Sequence, residues 1–228
     1  MSGVLRQVSK AVFAVGDRLL PDLPGPRILI YHQVGGGSDL EMEVAPDAFR
    51  SHVEWLADNA DVVPLERAEG TDSVVLTFDD GYRSLYEEAF PLLQKRRMPF
   101  TLFLTTAPVE TGEPLREHPG AEPLTWDMVK EMLDSGLMTI GAHTHTHPDF
   151  RHLTPAEVEA ELDRSDALIE ERLGTRPRYF AYTWGYWSPS ADPAVRRSYD
   201  RAFLGGPPPF PRLVSSCLFH SYWLKGWC

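Results

Sequence analysis

Short apolar runs alternate with amphipathic stretches along most of the chain. Residues 73–78 form a continuous run of apolar and β-branched residues, which is typical of a strand buried on both faces of a parallel sheet. Comparable runs occupy 27–32, 100–104, 137–142 and 179–182. We therefore predict five buried strands in these ranges.

Helical periodicity fills the intervals between the predicted strands. Apolar residues recur there every three or four positions and predict helices over 46–57, 84–95, 125–135, 155–173 and 193–199. The longest of these helices is preceded by a Thr-Pro-Ala-Glu capping box. Alternating strands and helices predict an α/β fold with a parallel sheet or barrel, whose ligands bind at the carboxyl ends of the strands.

Two segments interrupt this alternation. Residues 110–123 are polar, contain glycine and proline, and predict a loop. Within residues 4–19 apolar side chains recur at helical spacing, and three prolines between positions 21 and 26 end that helix. We predict an N-terminal helical extension over 1–26, packed on the domain or lying on a membrane surface, and a single domain over 27–228.

Composition and charge narrow the possible classes of protein. A chain of 228 residues with 43% hydrophobic residues suits one folded domain. Its net charge of −11 argues against a nucleic-acid partner, which would require a basic face. Two cysteines, Cys217 and Cys228, give no support to a disulfide framework. We find neither a signal-peptide pattern nor a run of 18 apolar residues, and we expect a cytoplasmic protein.

Two adjacent carboxylates follow the apolar run at 73–78. Asp79 and Asp80 stand in the sequence Thr-Phe-Asp-Asp-Gly, where they repel each other unless a cation lies nearby. A metal ion would let one carboxylate act as a ligand and its neighbour as a base. The alternative is an Asp-Asp-Gly turn that caps the next helix.

Three histidines fall within five consecutive positions directly after the run at 137–142. His143 and His147 stand four residues apart, so both imidazoles can face one point on a helical turn, whereas His145 should point elsewhere. One carboxylate and two neutral imidazoles suit zinc or a similar divalent ion such as cobalt. Three protein ligands leave coordination positions for water and substrate, as in catalytic sites. The alternative is a histidine-rich loop without a metal.

An aromatic segment, residues 178–187, follows from the fifth predicted strand. It reads Arg-Tyr-Phe-Ala-Tyr-Thr-Trp-Gly-Tyr-Trp. Aromatic rings at a strand end suit stacking on a sugar face, and the candidates for lining a pocket are Trp184, Tyr186 and Trp187. Packing in the core explains Tyr179 and Phe180 equally well.

These clusters together resemble the polysaccharide deacetylase family, also called the NodB-homology domain or carbohydrate esterase family four. Thr-Phe-Asp-Asp-Gly at 77–81 matches its first motif, His-Thr-His-Thr-His at 143–147 matches its second, and residues 178–185 are similar to its third. Residues 28–34 also resemble the first strand of many members. The resemblance extends from 27 to about 205 and implies an incomplete, distorted (β/α) barrel.

The resemblance also implies a reaction and a role for each site residue. The reaction is hydrolysis of the acetamido group of a 2-acetamido sugar, with a carbohydrate as the partner. Asp79 would be the general base. Asp80, His143 and His147 would hold a divalent metal, and zinc is the metal that we expect. The backbone N–H of Trp184 would stabilise the oxyanion. The predicted substrate contacts are His32, Tyr182 and Trp184.

The chain departs from the family pattern at three points. Thr183 replaces the proline usual in the third motif, which is expected to shift the turn there. Ala181 occupies the position of an arginine that orients the catalytic Asp in another branch of the family, and Arg178 is the candidate replacement. The family's Leu-x-x-His motif supplies a general acid near the C-terminus. Here His220 is the candidate acid, in an end that is divergent or truncated.

Two other functions stay open on the sequence. The metal site does not itself select the substrate, so the chain is alternatively a deacylase of a non-carbohydrate amide. Its departures from the family pattern also fit a sugar-binding protein with impaired catalysis. Retention of Asp79 argues against that last function, because a base beside the metal ligands has no use in a mere binding protein.

Overall fold

The computed structural model of the protein describes residues 26–36, 42–68, 73–205 and 218–223. Within these ranges seven parallel strands close into a barrel, with the helices packed against its outer surface. The predicted N-terminal helix falls on residues outside the described ranges. No helix in the described part of the chain is both long and apolar enough to cross a membrane. The domain boundary at residue 26, the membrane-surface helix and the cytoplasmic location therefore stay predictions.

Nine strands are described, and seven of them build the barrel. In chain order they are β1 (Arg27–Tyr31), β2 (Gln33–Val34), β3 (Glu43–Val44), β4 (Val74–Asp80), β5 (Phe100–Leu104), β6 (Met138–Ala142), β7 (Tyr179–Ala181), β8 (Arg201–Gly205) and β9 (Leu218–Trp223). The short strands β2 and β3 pair with each other. The barrel order is β1-β4-β5-β6-β7-β8-β9, and β9 closes it by pairing with both β8 and β1.

Six α-helices connect or flank the strands in the described ranges. They are α1 (Pro46–Asn59), α2 (Phe90–Arg96), α3 (Thr106–Thr111), α4 (Trp126–Asp134), α5 (Pro155–Leu173) and α6 (Asp192–Ser198). Helix α5 begins at the predicted capping box, where the Thr154 hydroxyl accepts from the backbone N–H of Glu157 and the Glu157 carboxylate accepts from the backbone N–H of Thr154. Gly174, at φ 69°, ends the same helix in the left-handed conformation.

The predicted α/β barrel is confirmed, and five helices and strands are additional to the prediction: α3, β2, β3, β8 and β9. All five predicted strands are present as β1, β4, β5, β6 and β7. Helix α3 starts before the predicted loop at 110–123 and has only six residues, too few to show a period. Strands β8 and β9 were not predicted, because neither carries a clear apolar alternation. With seven strands instead of eight, the barrel is incomplete in the sense that the resemblance implied.

Side chains of the strands divide between two apolar clusters. Successive residues of a strand point to opposite faces, so alternate residues share a cluster. The inner cluster includes Ile28 of β1 and Val75 of β4, which are paired in register. The outer cluster includes Leu76 and Phe78 and packs against the helices. Continuing the inward series toward the carboxyl end of β4 leads through Thr77 to Asp79.

Candidate active site

A cavity of about 340 Å³ opens at the carboxyl ends of the barrel strands. Residues from the ends of β1, β4 and β6 and from the segment after β7 line it. Among them are His32, Asp79, Asp80, His143 and His147. The aspartate pair and the histidine cluster, more than sixty residues apart in the chain, therefore share one cavity because parallel strands bring their carboxyl ends to the same edge.

The backbone at the end of β4 directs the two carboxylates differently. Asp79 continues the inward series of Val75 and Thr77. Asp80 would follow Phe78 to the outer face if the strand stayed extended, but it adopts φ 72°. This left-handed conformation ends the alternation and lets the Asp80 side chain also reach the cavity. Gly81 follows at φ 93°, where a Cβ atom would lie 2.6 Å from Leu104 Cδ1.

Three side chains converge in the buried part of this cavity. The Oδ1 atom of Asp80 lies 3.4 Å from His143 Nε2 and 3.3 Å from His147 Nε2. Their three candidate ligand atoms all lie within 4.8 Å of one another, and all three residues are buried. These are the three residues predicted as metal ligands, and their coordination of a metal stays a prediction.

The geometry and chemistry of the three atoms fit a divalent cation. A tetrahedral site with metal–ligand bonds of about 2.1 Å has ligand atoms about 3.4 Å apart, which matches both separations from Asp80 Oδ1. That oxygen is buried and accepts no hydrogen bond from any described residue. A buried carboxylate oxygen without a donor is costly unless a cation compensates it. The residues present therefore fit a metal ion.

The hydrogen bond of His143 sets the tautomer of its ring. His143 Nδ1 lies 2.8 Å from the carbonyl oxygen of Ala181. A carbonyl only accepts hydrogen bonds, so Nδ1 carries the proton in this contact and Nε2 keeps its lone pair for the cavity. Metal-binding histidines are commonly held by an outer partner of this kind. Ala181, which stands where a family branch has an arginine, thus contributes its backbone instead of a side chain.

The loop that carries the histidines is held by a carboxylate from α5. Glu161 Oε2 accepts from the backbone N–H groups of His145 at 3.0 Å and Thr146 at 2.8 Å, and Glu161 Oε1 accepts from the Thr146 hydroxyl at 2.8 Å. His145 itself is hydrogen-bonded through Nδ1 to the hydroxyl of Thr106 at 2.9 Å. Its ring lies outside the ligand cluster, as predicted.

The adjacent carboxylates have opposite pKa shifts. Burial raises the pKa of Asp79 to about 7, although nearby His143 partly offsets this. Burial would also raise the pKa of Asp80, but His147, His143 and His32 together hold it well below its usual range. Asp80 is therefore ionised, as a ligand must be, while Asp79 can exchange a proton near neutral pH.

The two histidines of the cluster also shift in opposite directions. Burial lowers the pKa of His147. Burial acts in the same direction on His143, but the carboxylate of Asp80 at 3.4 Å and the charge of Asp79 outweigh it and raise the pKa of His143. Neutral imidazoles are the metal-binding form, so cation binding competes with protons at His143 in particular.

Side chains of the third motif lie on different sides of the sheet. Trp184 lines the cavity, is 46% exposed, and has its ring centroid 5.3 Å from that of His147. Tyr182 also borders the cavity, but its ring packs edge-on against Phe150 and Phe180 in the outer cluster. The ring of Tyr182 therefore points away from the cavity, and only atoms near its backbone could contact a substrate there. The substrate contact by Trp184 stays a prediction, and its exposed ring is accessible to a ligand.

Thr183 links the third motif to the histidine loop. Its hydroxyl donates to the carbonyl oxygen of Pro148, the residue after His147, at 2.5 Å. A proline at this position has no hydroxyl and would not make this bond. Trp184 adopts φ 60° in the turn that follows. The departure from the family pattern therefore replaces a rigid ring by a hydrogen bond between the two motifs.

The candidate replacement for the orienting arginine, Arg178, does not line the described cavity. Arg178 forms an ion pair with Asp200 on an exposed surface, so its predicted role as a replacement for the orienting arginine is wrong. His220 stands in β9 opposite Leu204 in the register, but its side chain lies outside what the structure describes. Its role as an acid therefore stays a prediction.

Three residues near the site were missed by the sequence analysis. Glu117 and His118 belong to the predicted loop at 110–123; His118 lines the cavity, and Glu117 Oε1 lies 3.7 Å from His147 Nδ1. Glu161 holds the histidine loop from α5. Charged residues in a loop or on an amphipathic helix match the pattern of solvated residues, so no local signal distinguished these three.

Comparison with known proteins identifies a family and individual relatives. A family model described as polysaccharide deacetylase matches residues 66–199. The Bacillus subtilis protein YxkH, named after the same family, is 29% identical over 171 residues, which cover 71% of this chain and 57% of the relative. The poly-beta-1,6-N-acetyl-D-glucosamine N-deacetylase of Staphylococcus aureus is 25% identical over 175 residues, which cover 68% of this chain and 58% of the relative. The chain thus spans less than two thirds of either relative.

Solved structures share the fold at low sequence identity. IcaB from Ammonifex degensii superimposes with a TM-score of 0.75 at 24% identity, covering 89% of this chain and 93% of that one. The Streptococcus pyogenes deacetylase PplD superimposes with a TM-score of 0.74 at 22% identity, again covering 89% and 93%. At these identities the similarity establishes the barrel fold.

Proposed function

The chain belongs to the polysaccharide deacetylase family, and on that premise we propose that it is a metal-dependent hydrolase that removes N-acetyl groups from 2-acetamido sugars in a polysaccharide or glycan. One observation carries the proposal: Asp80, His143 and His147 converge in a cavity that Asp79 also lines. Metal-assisted hydrolysis of an amide uses residues that hold the cation and a separate base that takes a proton from water. The name of the Staphylococcus aureus relative supports a polymer of N-acetylglucosamine as the substrate class.

The proposed cofactor is zinc, with cobalt or another divalent transition metal as an alternative. One carboxylate oxygen and two imidazole nitrogens form a ligand set of intermediate hardness, which suits these ions better than calcium or magnesium. When bound, the cation would polarise the amide carbonyl and lower the pKa of water. Asp80, His143 and His147 would hold it, and the hydrogen bond from His143 to Ala181 supports the required ring orientation.

Asp79 is proposed as the general base. Its Oδ1 atom is buried and has no hydrogen-bond partner among the described residues, so it is available to accept a proton from water. A base works best when its pKa lies near the working pH, and burial raises the pKa of Asp79 toward that range. The water oxygen bonds to the acetyl carbon as Asp79 takes the proton.

The second half of the reaction needs a proton donor for the amine. As the carbon–nitrogen bond breaks, the sugar nitrogen gains a proton and acetate is released. We assign this proton to His220, whose backbone in β9 is paired in register with Leu204, a residue that lines the cavity. His32 also lines the cavity and remains a proposed substrate contact, because burial lowers its pKa to about 4 and leaves its ring neutral near pH 7. The backbone N–H of Trp184 remains the proposed donor to the oxyanion.

The base and the ligand are tested by one pair of variants. Asp80→Asn should lose zinc, because a neutral amide is a poorer ligand than a carboxylate. Asp79→Asn should retain zinc and substrate binding but lower kcat by about 10²-fold or more, the typical share of a general base. Zinc content and acetate release from oligomeric N-acetylglucosamine are the measurements. Near-normal turnover in Asp79→Asn would exclude this mechanism.

The same assay separates the two competing functions. Acetate release from an N-acetylated peptide but not from the sugar would indicate a non-carbohydrate deacylase. Sugar binding by the zinc-loaded wild type without acetate release would indicate a binding protein. For the proton donor, His220→Ala should lower kcat by about 10²-fold or more at unchanged zinc content, whereas His32→Ala should change mainly KM. The opposite result would move the acid role to His32.

A further inference from the structure

The two histidines of the metal cluster differ in what holds their outer nitrogens. His143 Nδ1 donates to the backbone carbonyl of Ala181 at 2.8 Å. His147 Nδ1 is buried and makes no hydrogen bond with any residue in the described ranges. The carboxylate oxygen Oε1 of Glu117 lies 3.7 Å from that nitrogen. One ligand thus has a fixed outer partner, while the other has a carboxylate just beyond hydrogen-bonding distance.

The loop that carries Glu117 is anchored beside the pair of aspartates. The backbone N–H of Leu124 donates to the backbone carbonyl oxygen of Gly81 at 2.9 Å, and the backbone N–H of Arg83 donates to the backbone carbonyl oxygen of Glu122 at 2.8 Å. Leu115 packs in a small apolar cluster with Tyr82 and Ala121. The side chain of Glu117 is only 27% exposed. The loop is thus held by Gly81, Tyr82 and Arg83, which directly follow the aspartates, and this keeps Glu117 next to His147.

We propose that Glu117 is a positioning residue that accepts a hydrogen bond from His147 Nδ1 and thereby orients Nε2 as a metal ligand. The proposal rests on the metal-dependent function above. A proton held on Nδ1 leaves the Nε2 lone pair free, and a carboxylate partner makes the imidazole a stronger ligand. A hydrogen bond of about 2.8 Å needs only a small side-chain adjustment from the separation in the structure. Glu117 also adds negative charge that favours a divalent cation.

Zinc affinity is the direct test, because it is measured without turnover. The variants are Glu117→Ala, which removes the acceptor, and Glu117→Gln, which keeps an acceptor oxygen without the charge. Glu122→Gln is the matched control: it lies in the same loop, but its side chain is 73% exposed and is paired with Arg83 at 3.0 Å. Each full-length protein is stripped of metal and titrated with Zn²⁺ against a chelating dye, and its metal-free melting temperature is recorded.

Zinc should bind Glu117→Ala about 10–100-fold more weakly than the wild type, the usual effect of losing an outer partner. Glu117→Gln should fall between the two, and Glu122→Gln should match the wild type within about twofold. The metal-free melting temperatures should stay similar, and excess zinc should restore kcat of Glu117→Ala at unchanged KM. If Glu117→Ala does not fold, the graded loss in Glu117→Gln decides the matter.

Several results would overturn the inference. Zinc affinity of Glu117→Ala within twofold of the wild type would show that Glu117 does not hold His147. Equal losses in Glu117→Ala and Glu122→Gln would show a general effect of loop charge. Both outcomes leave the proposed hydrolase intact, since the wild type still binds zinc. A wild-type protein that binds no zinc would instead remove the proposed function together with this inference.

Discussion

The wall of the barrel and its carboxyl-end rim are built by the same strands but differ in conformation and chemistry. In the wall, β4 is extended, and Leu76 and Phe78 point to the helices while Val75 points inward. At the rim, the same strand ends in two buried carboxylates, one of them at φ 72°. The wall is apolar and follows the alternation of side chains, whereas the rim contains buried polar atoms that accept no described hydrogen bond.

Backbone strain is unevenly divided between these regions. Five residues other than glycine have positive φ in the described ranges, and four belong to the rim: Asp80, Thr144, His147 and Trp184. The fifth, Arg97, ends helix α2. Such conformations persist only where surrounding structure enforces them, and they concentrate at functional sites. The regular wall therefore stabilises a rim whose strained backbone holds the buried polar side chains of the candidate site.

Substitution in the wall should have the largest effect on stability. Phe78 is fully buried and contacts the rings of Tyr31 and Phe100 at centroid distances of 5.3 and 5.7 Å. Phe78→Ala should lower the free energy of unfolding by about 3–5 kcal/mol, since it leaves a cavity. Denaturant unfolding of the metal-free protein measures this. A loss below about 1 kcal/mol would mean that the wall is not the main source of stability.

The contribution of the rim to the free energy of unfolding should depend on pH. The raised pKa of Asp79 means that the native metal-free protein keeps this proton up to about pH 7, whereas the unfolded chain releases it near pH 4. Stability from this group is therefore lost as pH rises from about 4 to about 7. Relative to wild type, Asp79→Asn should gain in free energy of unfolding over that window, by up to about 4 kcal/mol.

Denaturant unfolding of both proteins between pH 4 and pH 8 checks this difference. Comparing the two proteins cancels the contribution of titrating groups that do not interact with Asp79, such as buried Asp166. Added zinc should flatten the difference, because a cation favours the charged carboxylate. A difference independent of pH would show that Asp79 titrates normally.

Substitutions of two neighbouring rim histidines should distinguish a metal ligand from a residue that only supports the loop. His145→Ala removes one hydrogen bond, to Thr106, and should cost about 1 kcal/mol of stability while leaving zinc content intact. His147→Ala should lose most of the zinc. Metal analysis of both purified variants is the measurement, with wild type as the reference. Equal loss of zinc in the two variants would mean that the ligand pair is assigned wrongly.

The smallest effect on stability is expected at Arg97, whose strained backbone conformation ends a helix outside the rim. Arg97→Gly should raise the free energy of unfolding by up to about 1 kcal/mol, because glycine adopts φ 52° without steric cost. Thr144→Gly relieves the same kind of strain at φ 73° but loses the hydroxyl that accepts from the backbone N–H of His147 at 3.0 Å. It should weaken zinc binding. Denaturant unfolding and zinc titration of both variants are the measurements. Equal changes in stability and in zinc affinity would show that positive φ has the same role inside and outside the rim.

Much of the fold and the core of the candidate site were predictable from local patterns. The strands β1, β4, β5, β6 and β7 have apolar runs, and the start of α5 has a capping box. Asp79 and Asp80 end β4, and His143 and His147 lie in the loop that follows β6, so the parallel pairing of these strands brings all four to one edge. These features depend on residues close together in the sequence, and local patterns are therefore enough to predict them.

Which other groups lie at the site depends on contacts between distant parts of the chain, and these are visible only in the folded protein. Strand β9 is recognisable by its pairing with β8 and β1 rather than by its own pattern. Glu117 and Glu161 resemble solvated carboxylates until the fold sets them against His147 and the histidine loop. Tyr182 turns its ring to the helices, because side chains alternate across the sheet. Distances between segments far apart in the chain determine these roles, and local periodicity carries no information about them.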